Sequence, residues 1–226
     1  MVNMPILPEQ EIVIASMKDD RLSYSISIFS ENNQEIGRLI PITRHLAIEE
    51  WLLEMLSIWR KSNMESFLTK FDINAANVSS FLSGVTIPDP ARLLFIAAEQ
   101  GRAIGNIGLC NIEAQSAEID NVLRGFSAQN PDFMYRSAVS LIKWAHFHLG
   151  VIHFYLHVLE NNVKAIRLYK KLGFCVQDRM PLWYKARPDG YQLIRSQEDG
   201  AIPHSVSLVR MILLPSKSDL DIWKES

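Results

Sequence analysis

The stretch V-L-E-N-N-V-K-A-I-R-L-Y-K-K-L-G-F, Val158 to Phe174, decides the reading of this chain. It runs from the end of a strand into a short helix that stops on Gly173, and it places Asn162 and Tyr169 seven residues apart. At about 3.6 residues per turn, that spacing puts both side chains on one helical face, with Ala165 and Ile166 between them. An amide and a phenol aligned beside a strand terminus suit the holding and reprotonation of a leaving group.

Working outward, V-I-H-F-Y-L-H-V (151–158) reads as the strand that feeds this helix, and residues 135–149 as an amphipathic helix closed by Gly150. Before them, A-E-I-D-N-V-L (117–123), A-I-G-N-I-G-L-C-N-I (103–112) and R-L-L-F-I-A-A-E (92–99) read as strands. A strand–helix–strand unit of this length predicts parallel neighbours. Ile48, Trp51, Leu52, Met55, Leu56 and Trp59 give helical spacing over 47–60. A second helix is predicted over 75–83, capped by Asn74, stopped at Gly84 and followed by the breaker I-P-D-P. Residues 1–43 read as strands more than helices, including a hairpin around E-N-N-Q. A further strand starts at Phe174 and a last one covers 206–214, after a loop rich in charge and glycine. The order predicts a mixed α/β layer fold.

The chain has 226 residues, 48% of them apolar and 21% charged, with a net charge of −2. That argues for a globular domain, and against nucleic acid or an anionic membrane as partner. No apolar run approaches the roughly 18 residues of a membrane span, and the N-terminus lacks a secretory pattern. Cys110 and Cys175, the only cysteines, form no C-x-x-C, so a cytoplasmic chain with both thiols reduced and buried is expected. His153 and His157 are four residues apart on one strand, about 13 Å, too far for a single ion, and no metal site is expected. His157 is expected to be a satisfied surface histidine, although its place near the strand end could turn it toward an acceptor pocket.

The 158–174 segment closely resembles the pattern V-x-x-x-N-x-x-A-I-x-L-Y-x-K-x-G-F of GNAT acetyltransferases, and every fixed position is present. The element order resembles theirs over 36–214, leaving 1–35 as a strand-rich N-terminal extension and 215–226 as a polar tail that Trp223 could pin. The resemblance implies an α/β GNAT fold: a mixed central sheet with a parallel splayed strand pair and helices on both faces. It implies acetyl-CoA as co-substrate, a small-molecule amine as acceptor, and direct attack in a ternary complex. A homodimer is left open.

The resemblance also implies roles for residues. Tyr169 would return a proton to the departing thiolate, and Glu118 or Asp120, on one face of their strand, would accept the amine's proton. Asn121, Val122 and Leu123 would present backbone groups to the pantetheine arm. Asn162, Lys164 and Ala165 would contact the cofactor from the following helix, where Asn162 could also act as its cap. The pyrophosphate turn of the family is Q/R-x-x-G-x-G/A. Here the turn is R-G-F-S-A-Q-N-P-D-F-M-Y-R-S-A (124–138), with Asp132 where a glycine is common. The expectation is that Asp132 caps the next helix, leaving the amides of Met134, Tyr135, Arg136 and Ser137 for phosphate.

On the acceptor side, W-R-K-S-N (59–63) resembles the W-R-N signature of both the nucleotide-sugar and the ribosomal-protein branches. E-I-D-N-V-L-R-G (118–125), R-M-P-L-W-Y-K (179–185) and S-N-M-E-S-F-L-T-K-F (62–71) resemble GNAT proteins of surface-polysaccharide pathways, which implies an amine on a nucleotide-linked sugar. Trp59 and Phe71 could stack on sugar or base, and Arg60 could meet the pyrophosphate. A protein or peptide N-acetyltransferase of the ribosomal-protein type is the alternative enzyme. A catalytically silent acetyl-CoA-binding module is the alternative of another class.

Overall fold

The computed structural model describes residues 4–214. In chain order it contains α1 (Pro8–Met17), β1 (Ile26–Phe29), β2 (Glu35–Pro41), α2 (Glu50–Ser62), β3 (Thr69–Phe71), α3 (Ala75–Phe81), β4 (Leu93–Glu99) and β5 (Arg102–Cys110). There follow β6 (Ser116–Arg124), α4 (Phe133–Leu149), β7 (His153–Leu159), α5 (Val163–Lys171), β8 (Phe174–Arg187), β9 (Gly190–Ile194) and β10 (Ile202–Leu213). Among the described residues the strands form one sheet, ordered β1-β2-β4-β5-β6-β7-β10-β8-β9-β3. Among the described residues only the β6–β7 pairing is parallel, as the strand–helix–strand reading predicts.

β4 is buried on both faces, and its side chains alternate between two cores. Leu93, Phe95 and Ala97 join the core that includes Ile14 of α1 and Phe133, Ala138 and Leu141 of α4. Leu94 and Ile96 join the core built on Leu52 and Leu56 of α2 and Val78 of α3. Helices therefore cover both faces of the mixed sheet. α3 is capped as the sequence predicts: Asn74 Oδ1 accepts from the amide of Asn77.

The N-terminal reading needs correction. The β-branched run Ile12–Val13–Ile14 looks like strand, yet residues 8–17 are helical. Tertiary contacts override propensity here. Pro8 stands in the first turn, and Gln10, buried, donates its side-chain amide to the carbonyls of Ala114 at 3.1 Å and Leu149 at 2.5 Å. Ile14 and Met17 then enter the main core together with Ile26 and Ile28 of the β1–β2 hairpin. The charge- and glycine-rich loop also holds a strand, β9, which pairs with β3. Cys110 is buried as expected but Cys175 is exposed, because β8 turns Phe174 inward and its neighbour outward. The tail 215–226, with Trp223, lies outside the described residues.

One irregularity opens the sheet. Opposite Ile107 of β5, β6 carries two residues, Asn121 and Val122, and Asn121 has φ +51°. Asparagine tolerates that left-handed conformation, and the resulting bulge adds local bend and twist. The buried Asn106 fixes it by donating 2.5 Å to the Asn121 carbonyl. Parallel pairing of β6 with β7 runs only from Ser116–His153 to Glu118–Tyr155, and beyond it the strands part.

Candidate active site

A cavity of about 530 Å³ opens where β6 and β7 separate. Ile119 to Leu123 form one wall, Val158 and Leu159 the other, and α2, α3 and β3 close the far end. The expected cofactor-arm residues Asn121, Val122 and Leu123 thus line it.

Asn162, Ala165 and Tyr169 of α5 line it too, as their shared helical face predicts. Asn162 Oδ1 accepts from the amide of Ala165 at 3.2 Å, so this residue caps α5 while facing the cavity. Tyr169 is 6% exposed, with Phe174 packed edge-on against its ring. Its hydroxyl has no hydrogen-bond partner among the described residues. Burial, with the Asp120 charge nearby, pushes the phenol well above its ordinary value, so it stays protonated. Lys164, on the same helix, is exposed and does not line the cavity.

Both β6 carboxylates face the cavity, but each is engaged. Asp120 accepts from Arg92 Nη1 at 2.9 Å and from the Asn121 amide at 2.7 Å, so it neutralises an arginine and braces the bulge. Glu118 meets His157 Nδ1 at 2.6 Å and Asn111 Nδ2 at 2.8 Å. Burial raises the Glu118 pKa, but His157, Asn111 and Arg195 pull it the other way, and the net value lies below normal. His157 is no surface histidine: its side chain is 12% exposed and faces the cavity.

At the end closed by α2, α3 and β3, Arg60 lines the cavity with its guanidinium 3.9 Å from the centroid of the Phe67 ring. Its Nη2 donates 2.8 Å to Thr69 Oγ1, and among the described residues no carboxylate pairs with it. Phe71 lines the cavity as expected. Trp59 does not: at 1% exposure it packs in the core against Gly125 and edge-on to Phe126. The amphipathic stripe of α2 locates Trp59 correctly as apolar, and its neighbour Arg60 is the one turned to the cleft.

The glycine-poor turn departs from expectation. Asp132 does precede α4, but its side chain makes no capping bond and accepts instead from Lys171 Nζ at 2.7 Å. The loop before it is held by Glu99, 6% exposed, whose carboxylate accepts the amides of Gln129 at 2.6 Å and Asn130 at 2.8 Å. The Arg136 amide bonds to the Asp132 carbonyl, and Ser137 is fully buried with Oγ on the Phe133 carbonyl. Met134, Tyr135, Arg136 and Ser137 do not line the cavity. Lys171 and Arg136 both lie over the Tyr135 ring, so cations do gather at this end.

Acetyl-CoA therefore fits this chain best at its thioester arm. The residues expected at that arm, Asn121, Val122, Leu123, Asn162, Ala165 and Tyr169, all line this one cavity. The sequence alone missed Glu99, Asn106 and Phe67, and it missed that Arg92 and His157 tie up the two carboxylates. Only Asn106 left a local signal, as a polar residue inside the apolar strand A-I-G-N-I-G-L-C.

The family described as Acetyltransferase (GNAT) domain matches residues 19–175, more than half the chain. The chain belongs to the GNAT acetyltransferase family, whose enzymes are acyltransferases that use acetyl-CoA as co-substrate. Among solved structures it resembles a probable GNAT acetyltransferase from Chromobacterium violaceum, with TM-score 0.58 and 14% identity over 94% of this chain and 90% of that one. It also resembles RimL, a ribosomal L7/L12 alpha-N-protein acetyltransferase in complex with coenzyme A, with TM-score 0.60 and 14% identity over 84% of this chain and 98% of that one. A third is the spermidine N-acetyltransferase of Vibrio cholerae with CoA and spermine, with TM-score 0.54 and 20% identity over 73% and 90% of the two chains. At these identities the likeness speaks for the fold. A search of curated protein sequences returns no match. Among the described residues, no helix is long and apolar enough to cross a membrane, and no group of three or more His, Cys, Asp or Glu could hold a metal ion.

Proposed function

We propose that the chain acetylates a primary amine on a nucleotide-linked amino sugar, by direct attack in a ternary complex. The observation that carries this reading is Arg60, a cation inside the cleft, stacked on Phe67 and lacking a carboxylate partner. Arg195 adds positive charge at the rim. A half-buried guanidinium with no carboxylate in contact is a ready seat for a phosphate, which it can grip in bidentate fashion. A polyamine acceptor would call for the opposite charge at that position.

Acetyl-CoA would supply the activated acetyl group, held by the β6 bulge residues Asn121, Val122 and Leu123 and by Asn162 and Ala165 of α5. Tyr169 keeps its proton until a sulphur leaves beside it and then donates it. Phe67 and Phe71 give apolar faces against which a sugar or base can stack. Cys110 is buried beside carboxylates, which raises its pKa, so it is no nucleophile and no acyl-cysteine step is invoked.

The test is release of free thiol from acetyl-CoA with UDP-glucosamine, spermine, a lysine peptide and an α-amino peptide as acceptors. The expected result is fastest turnover with UDP-glucosamine. Preferred turnover of spermine or of either peptide would overturn the assignment.

A further inference from the structure

Glu118 and His157 remain, facing the cavity on either side of the point where β6 and β7 part. We propose that His157, oriented by Glu118, is the group that removes the proton from the acceptor's ammonium. This rests on the acyltransferase reading above but not on the identity of the acceptor.

Three observations lead to it. The expected carboxylate bases are already occupied: Asp120 by Arg92 and by the backbone and side-chain amides of Asn121, Glu118 by His157 and Asn111. An ionised carboxylate only accepts, so the 2.6 Å contact with Glu118 places the imidazole proton on Nδ1. Nε2 then carries the lone pair, and no hydrogen bond to it is made among the described residues. The side chain is 12% exposed and lines the same cavity as Tyr169, so an unpartnered Nε2 belongs to a ring that borders the space where an acceptor would bind.

The step balances simply. An N–H bond of the ammonium breaks, its electron pair stays on nitrogen as the nucleophile, and the proton forms an Nε2–H bond. Glu118 stays ionised and faces the resulting imidazolium, a positioning residue in the manner of the carboxylate in a Ser-His-Asp triad. Other charged or titratable groups near the pair are Arg195 after β9, whose charge reaches Glu118, Cys110 paired opposite Glu118 on β5, Arg210 paired opposite His157 on β10, and Tyr155, whose ring lies edge-on to that of His157 at 5.9 Å; Asp120 lines the same cavity.

Two measurements on the full chain test this. Nitrogen NMR of the histidine-labelled protein, with His157→Gln to identify the signal, should show the neutral ring protonated on Nδ1. Protonation on Nε2 would overturn the proposal, and this arm needs no acceptor. With UDP-glucosamine, His157→Gln and His157→Ala should lower kcat by about 100-fold or more, with KM for acetyl-CoA nearly unchanged. Added imidazole should restore part of the His157→Ala rate, and Glu118→Gln should lower kcat less and shift the acid limb of the pH profile. A kcat for His157→Gln close to that of the parent would overturn it. If the parent protein does not turn over UDP-glucosamine, the substrate assignment fails while the NMR result still decides the role of His157.

Discussion

The guanidinium of Arg60 lies 3.9 Å from the centroid of the Phe67 ring, and its Nη2 is anchored to Thr69 Oγ1. Stacking and one neutral hydrogen bond fix the group without cancelling its charge. Removing a charged hydrogen-bonding partner of a bound anion costs roughly 1.5–3 kcal/mol, or about 10- to 100-fold in affinity. Arg60→Met should therefore raise KM for UDP-glucosamine by that factor with kcat little changed. Arg60→Lys should not restore it, since an ammonium neither stacks nor forks. Steady-state kinetics on the two variants checks both statements.

Tyr169→Phe removes an oxygen for which the described residues provide no partner, while keeping the ring against Phe174. Stability should barely move, with Tm within about 2 °C of the parent. Turnover should fall by about 100-fold or more if the phenol serves the departing sulphur. Because burial raises the phenol's pKa above its ordinary value, the parent should show no loss of rate from Tyr169 ionisation up to about pH 10. A rate profile in alkaline buffer measures this directly.

The contrast between Tyr169 and His157 shows what the sequence could and could not reveal. Asn162, Ala165 and Tyr169 share a face because of local helix geometry, which spacing alone predicts. His157 meets Glu118, 39 residues earlier in the chain, through the register of two parallel strands, and no local pattern encodes that register. Arg60 and Trp59 show a similar limit on α2: the apolar stripe is legible, but not which rim of it borders a cleft. The short β-branched run of α1 mimics a strand, while the contacts that hold it as a helix, from Gln10 to Ala114 and Leu149, are distant in sequence. The lack of glycines in the 124–138 turn is legible in the sequence, but the hold of the buried Glu99 carboxylate on the amides of Gln129 and Asn130, 30 and 31 residues away, is not.

Glu118 makes stability depend on pH. Burial alone would raise its pKa, but the His157 hydrogen bond and charge leave it below the ordinary 4.5. A carboxyl whose folded value is depressed stabilises the fold fully above its unfolded value, and that contribution disappears as pH falls through the folded value. The parent should therefore lose Tm on acidification below about pH 4.5 more steeply than Glu118→Gln does, with the two curves converging at the acid end. Thermal melts across that range provide the comparison.

Glu99, at the end of β4, pins the 125–132 loop to the sheet. Its carboxylate receives two amides at 2.6 and 2.8 Å from a buried position. Glu99→Gln replaces one acceptor oxygen with a donor that faces an amide, and Glu99→Ala leaves both amides unsatisfied. Expected losses are about 1–3 kcal/mol per orphaned group, so the alanine variant should be the less stable of the two. Denaturant melts rank them. Acetyl-CoA affinity, read by titration, should weaken in both, because the loop leads directly into α4.

Gly125 follows the last residue of β6 and lies against the indole of Trp59. A Cβ built there would lie 2.0–2.2 Å from Cε2, Cδ2 and Nε1 of the ring, and the ring is too tightly buried to withdraw. Gly125→Ala should therefore destabilise by about 1–3 kcal/mol, the usual range for overpacking. It should also displace Leu123, two residues earlier, and so disturb the cavity wall. Trp59→Leu removes the whole indole that meets the new methyl, and with it a buried Nε1 that has no hydrogen-bond partner among the described residues. In the double variant the losses should be less than additive, because the second change relieves the clash created by the first. A double-mutant cycle by denaturant unfolding measures the coupling, and strict additivity would show that the indole edge is not what excludes a side chain at position 125.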